Sequence, residues 1–121
     1  MANTFKVVTF AAAPNSAGTP YVMYTVASST TAVVLELVLS NINTTAVTAE
    51  VELVSTTSSR GGANNVANGT SFLIKDVSIP TGSSLEILSG GKVVLEAGDK
   101  IQIDCSVADK LSGTLSIMEI T

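Results

Sequence analysis

Two glutamates on one strand face, a lysine near serines, three evenly spaced aspartates, one arginine in a glycine-rich stretch and one cysteine are the residues here that could do chemistry. Glu50 and Glu52 alternate with Ala49, Val51 and Leu53, so both carboxylates project from the same side of a strand. Such a pair can act as acid and base on a sugar. A sugar cleft usually adds aromatic platforms, and the aromatic residues here are only Phe5, Phe10, Phe72, Tyr21 and Tyr24. The two glutamates therefore read as a solvated face. Lys75 lies near Ser71 and Ser78. A lysine base would have to be buried beside its serine, and these positions read as solvated strand residues.

The chain contains no histidine, so a serine or cysteine nucleophile lacks its usual base. With one cysteine and no histidine it cannot assemble a zinc site. Asp99, Asp104 and Asp109 are five residues apart. Strand rise places the outer two about 30 Å apart, at opposite ends of one strand, so they cannot share an ion. Arg60-Gly61-Gly62 sits in a glycine-rich stretch that has neither the phosphate-loop nor the dinucleotide spacing. Cys105 is alone, which rules out an intramolecular disulfide. Counting by twos puts it on the apolar face with Ile101 and Ile103, as a buried structural thiol. No cofactor or metal is expected, and no enzymatic activity.

The elements that would hold these residues are strands, because period-two alternation dominates and no amphipathic helix stands out. Strands are expected over 6–11, 21–26, 32–41, 47–54, 70–78, 84–88, 92–95, 100–107 and 113–120. In the third, Val33, Leu35, Leu37 and Leu39 would share one face. In the fourth, Val47, Ala49, Val51 and Leu53 point inward. A short Asn/Thr connection between these two strands predicts a hairpin. Gly98 permits a tight turn at Ala97-Gly98-Asp99, which Asp99 can cap. The last strand alternates on both faces, with Leu115 and Ile117 on one side and Met118 and Ile120 on the other. Either a bulge shifts its register, or both faces are covered and another subunit or sheet packs outside.

Eight or nine short strands, with turn signals every eight to twelve residues, predict an all-β fold: an antiparallel β-sandwich, jelly-roll-like. Length predicts one domain over residues 1–121, with residues 1–5 as an extended N-terminal arm. The longest break, from Ser55 to Gly69, is the kind of loop that tends to carry function.

Charged residues are 13% of the chain, about half the typical share. Serine, threonine and asparagine supply the polarity instead, and hydroxyls leave water more cheaply than ions do. Such a surface suits protein–protein packing. Net charge is −4 and the six basic residues are scattered, which argues against nucleic acid and against an anionic membrane. The first six residues do not begin a signal peptide, and no stretch is long enough to cross a bilayer as a helix.

The C-terminal third is more particular. It runs Val77-Ser78-Ile79-Pro80-Thr81-Gly82-Ser83-Ser84-Leu85, then Lys92-Val93-Val94-Leu95-Glu96-Ala97-Gly98-Asp99, and closes on Glu119-Ile120. The front half adds Tyr21 to Val26, Thr30-Thr31-Ala32-Val33-Val34 and Leu39-Ser40-Asn41. This pattern resembles small all-β virion proteins of tailed bacteriophages, many from marine and cyanobacterial hosts. The resemblance spans most of the chain and implies a structural protein of the particle. Its first implication is a capsid decoration or cement protein on the virion surface, bound to the major capsid protein lattice or other virion proteins and self-associating. A neck, tail or fibre-adaptor subunit is the alternative, and a carbohydrate-binding module comes third, weakened by the absence of tryptophan. The expected contact residues are Phe5 in the N-terminal segment, Asn15 in the loop from Ala13 to Pro20, Tyr21 beside it, and Arg60, Asn64 and Asn65 in the long loop.

Overall fold

A computed structural model describes residues 2–55, 69–88 and 92–121. Nine strands are present among them: β1 (Asn3–Ala13), β2 (Tyr21–Thr25), β3 (Thr31–Asn41), β4 (Val47–Val54), β5 (Thr70–Ile79), β6 (Ser84–Glu86), β7 (Val93–Leu95), β8 (Lys100–Cys105) and β9 (Leu111–Ile120). All the pairings are antiparallel. One sheet runs β1-β9-β3, with β7 and β6 end to end along the far edge of β3; the other runs β2-β8-β4-β5. With β6 and β7 counted as one interrupted strand, this is the order of an eight-stranded jelly roll.

The core lies between the sheets. Leu37, Leu39, Leu111, Leu115 and Ile117 come from one sheet, and Val51, Ile101 and Ile103 from the other; each is fully buried. Cys105 is buried on the same face as Ile101 and Ile103, as alternation requires. Each of these side chains contributes about 1.5–3 kcal/mol by leaving water.

β3 and β4 do not form the expected hairpin. They belong to different sheets, and the 42–46 connection carries the chain across the sandwich. Asn41 organises that crossing. Its buried amide donates to the carbonyls of Thr45 (3.0 Å) and Ile79 (2.9 Å), while its side-chain oxygen accepts from the Asn43 N–H (2.7 Å). The last residue of β3 thereby ties one sheet to the end of β5 in the other.

The expected face of β3 is right for only half the strand. Its register against β9 slips between Val34 and Glu36, so Leu35 is a surplus residue. Before it, Ala32 and Val34 point inward; after it, Leu37 and Leu39 do. Val33 therefore faces out. β9 itself runs without a slip against β1 from Ile120 to Gly113. Its two-sided pattern is thus a true alternation, with Leu111, Gly113, Leu115 and Ile117 inside.

Residues 3–5, expected as an extended arm, are the beginning of β1. Asn3, Thr4 and Phe5 lie opposite Ile120, Glu119 and Met118. Gly98 adopts a positive φ of 89°, and Asp99 accepts from the Glu96 N–H at 3.0 Å, so that turn is capped as expected.

Further along β1, Phe10 lies opposite Gly113, and its ring folds onto that glycine. A Cβ at position 113 would run into the Phe10 ring. The ring is also held edge-on against Tyr21, with centroids 5.3 Å apart, so it has little room to yield. Gly113→Ala is expected to destabilise the fold by about 1–3 kcal/mol through this overlap. Urea unfolding of the variant measures it, and a change within error of zero would mean that the ring moves aside freely.

Candidate functional site

Both outer faces of the sandwich carry side chains that could act, and they differ in chemistry. On the β2-β8-β4-β5 sheet the outer face is polar. A shallow depression of about 360 Å³ opens there, lined by Gly18, Thr48, Glu50, Asp76, Asp104 and Ser106 among others. Its carboxylates already have partners. Lys75 Nζ lies 2.8 Å from Glu50 and 3.7 Å from Asp76, and 4.8 Å from the centre of the Phe72 ring. Asp104 accepts from the backbone N–H groups of Gly18 (3.1 Å) and Cys105 (2.8 Å). The hydrogen bond to Glu50 holds the Lys75 ammonium above its ordinary pKa, so Lys75 stays protonated and is no base.

Glu52 corrects an expectation. Alternation makes it a solvated neighbour of Glu50, but it is buried, with Gln102 directly opposite on β8 donating to its carboxylate. Register causes this: the facing amide and the flanking Phe72 on β5 cover it. Glu50 and Glu52 therefore serve two separate side-chain contacts. Among the described residues, no group of three or more His, Cys, Asp or Glu is placed to hold a metal ion.

The outer face of the other sheet carries an apolar row. Residues directly opposite on antiparallel strands project to the same side. Phe5 is opposite Met118, Met118 is opposite Val33, and Val33 is opposite Val94. These four form one row across β1, β9, β3 and β7. Val7 and Ile120 lie in the adjacent rows on the same side. Phe5, Val7 and Val94 are 71%, 62% and 56% exposed. The remainder of this face is mostly hydroxyls: Thr9, Ser112, Thr114, Ser116, Ser40 and Ser84, with Glu36 and Glu86 as carboxylates. A large apolar side chain in water is ordinary when single; a row of them rimmed by polar groups is a candidate contact surface.

At the end of the sandwich next to this row, polar groups link the sheets. A bulge in β2 between Val22 and Tyr24 turns both Met23 and Tyr24 toward the interior. The Tyr24 hydroxyl then donates to Glu119 on β9 at 2.5 Å, and Lys6 Nζ on β1 lies 2.7 Å from the other carboxylate oxygen. Burial and the carboxylate push the Tyr24 pKa up, and the hydrogen bonds from Lys6 and Tyr24 hold Glu119 below the ordinary carboxylate range.

Of the residues expected at a contact, Phe5 lies in the apolar row. Asn15 is exposed in the loop after β1. Tyr21 spends its ring on Phe10 and packs the β1–β2 side of the sandwich. Arg60, Asn64 and Asn65 lie outside the described residues. Sequence reading missed Val7, Val33 and Val94. The outward alternation of Met118 and Ile120 was the available signal, and the bulge at Leu35 hid Val33.

No protein-family model matches the chain, and no curated protein matches it. A solved structure described as "Bacillus endospore appendages form a novel family of disulfide-linked pili" is similar over 99% of this chain and 87% of its own, at 18% identity and a TM-score of 0.47. The jelly-roll assignment rests on strand order and not on that likeness.

The depressed pKa of Glu119 makes stability depend on pH. The folded value lies below the unfolded one, about 4.3, so the unfolded chain takes up the proton first. Stability from this site is complete above the unfolded value and is lost as pH falls through the folded one. Glu119→Gln should therefore be less stable than the parent at pH 7, with the gap narrowing as pH falls below the ordinary carboxylate range. Urea melts across that range test it; a gap that does not change with pH would remove the carboxylate from the account.

Proposed function

We propose that this chain is a structural subunit of a bacteriophage particle, acting as a capsid decoration protein that binds the major capsid protein lattice from outside. It works by adhesion and transforms no substrate. The observation that carries this is the apolar row Phe5–Met118–Val33–Val94 on a sheet face that no other described residue covers. The resemblance of the C-terminal segments to small virion proteins gives the row its setting. The outer face of the other sheet supports the same conclusion, because its Glu50, Glu52 and Lys75 are bound to neighbours and none is poised as acid, base or nucleophile.

Burying Phe5, Val7 and Val94 against a partner releases about 1.5–3 kcal/mol for each side chain fully covered. One such contact is weak. Many copies on a symmetric shell act together, and a neutral Ser/Thr rim adds little desolvation cost.

Quantitative mass spectrometry of purified particles of the encoding phage tests the placement. Decoration of a symmetric shell predicts a copy number on the order of hundreds. About six or twelve copies would move the subunit to the neck or tail, and absence from the particle would end the proposal. Met118→Glu places a charge in the middle of the row. It is expected to abolish attachment to capsids while changing the unfolding free energy by less than about 1 kcal/mol, since Met118 is outside the core.

A further inference from the structure

We infer that β1 is also an assembly edge, and that its partner is β1 of a second copy of this chain, paired antiparallel about a two-fold axis through Val7. The inference is independent of the virion assignment, because it concerns the isolated chain in solution.

Ala2 and Thr121 exchange both hydrogen bonds, N–H of each to C=O of the other, at 3.1 and 3.0 Å. In an antiparallel ladder such exchanging pairs alternate with pairs that exchange none. Thr4, Lys6 and Val8 therefore direct their N–H and C=O groups at β9, and Phe5, Val7 and Thr9 direct theirs away from it. Among the described residues, no strand or loop pairs with those outward groups.

The other sheet edges are blunted. β2 has five residues and a bulge. β5 slips register twice against β4, and its Asp76 takes a left-handed φ of 52°. β6 and β7 have three residues each. Short, bulged or charged edges resist pairing with another chain. β1 has eleven residues and keeps one register from Asn3 to Phe10. The edge that matches it in length and regularity is another β1.

Register follows from which groups are free. Odd-numbered residues must face odd-numbered residues. Pairing Phe5 with Val7 of the second copy would set the two Lys6 side chains directly opposite each other, which is unfavourable. Pairing Phe5 with Phe5 would confine the overlap to residues 3–7. Pairing Val7 with Val7 sets Phe5 against Thr9 and Lys6 against Val8, avoids the lysine clash and exchanges hydrogen bonds at all three outward residues. Lys6 brings its own counter-charge in Glu119. The result is one continuous sheet across both copies, with the two apolar rows brought together on one side.

The test uses the full chain. Sedimentation should give a dimer of the 12.3 kDa chain that dissociates on dilution. Hydrogen exchange followed by NMR should show the Phe5, Val7 and Thr9 amides protected in the dimer and fast in the monomer, with Lys6 and Val8 protected in both. Val7→Pro removes an outward N–H and leaves the β9 ladder intact. It should weaken the dimer roughly a hundredfold. Val7→Lys opposes two charges across the axis and should do the same without a proline; both variants should melt near the parent temperature. A chain that stays monomeric at millimolar concentration, a dimer indifferent to both variants, or fast exchange at Phe5, Val7 and Thr9 within the dimer would each overturn the inference.

Discussion

Between Val34 and Glu36, β3 holds one more residue than β9 opposite it, and the arrangement of both faces depends on that surplus. Side chains alternate along a strand, so one extra residue exchanges inside for outside. Ala32 and Val34 face the core on one side of Leu35, and Leu37 and Leu39 do so on the other. Without the slip, placing Leu37 inside would bring Val33 inside and leave Val34 in water. The bulge both completes the core and sends Val33 outward into line with Met118, Phe5 and Val94. It also falls between the stretches of β3 that accept β7 and β6.

Two polar ties complement this packing. Asn41 bonds the 41–45 turn and the end of β5, where the chain leaves one sheet for the other. Tyr24 and Lys6 meet at Glu119 at the end of the sandwich where β2 comes close to β1 and β9. Each places polar atoms between sheets, where an unsatisfied group costs about 1–3 kcal/mol. Both ties therefore favour one alignment of the two sheets as much as they add stability.

Much of the fold was legible in the chain. β4 has the bounds that alternation gave it, and most other strands differ only at their ends. The inward position of Cys105 and the Gly98-Asp99 turn followed from local rules. The β3–β4 hairpin failed because alternation shows that a strand has a buried face and says nothing about which sheet it joins. Leu35 was invisible for a related reason: in a run of valines and leucines, a one-residue slip leaves the pattern apolar on both sides. Glu52 needed Gln102, fifty positions away, to be recognised as buried. The outward apolar row was half legible. Met118 and Ile120 stood out on an otherwise polar side, whereas the residues that complete the row come from three other strands.

The uneven quality of the sheet edges fixes how far growth can go. A body with two adhesive rims on opposite flanks adds neighbours without limit and makes ribbons. Here β5 slips register and turns left-handed at Asp76 and β2 is brief, while β1 is long and keeps one register from Asn3 to Phe10. With β1 paired as inferred above, such a body would have a valence of one through its backbone, so association along that rim would saturate and leave the broad faces available for other surfaces.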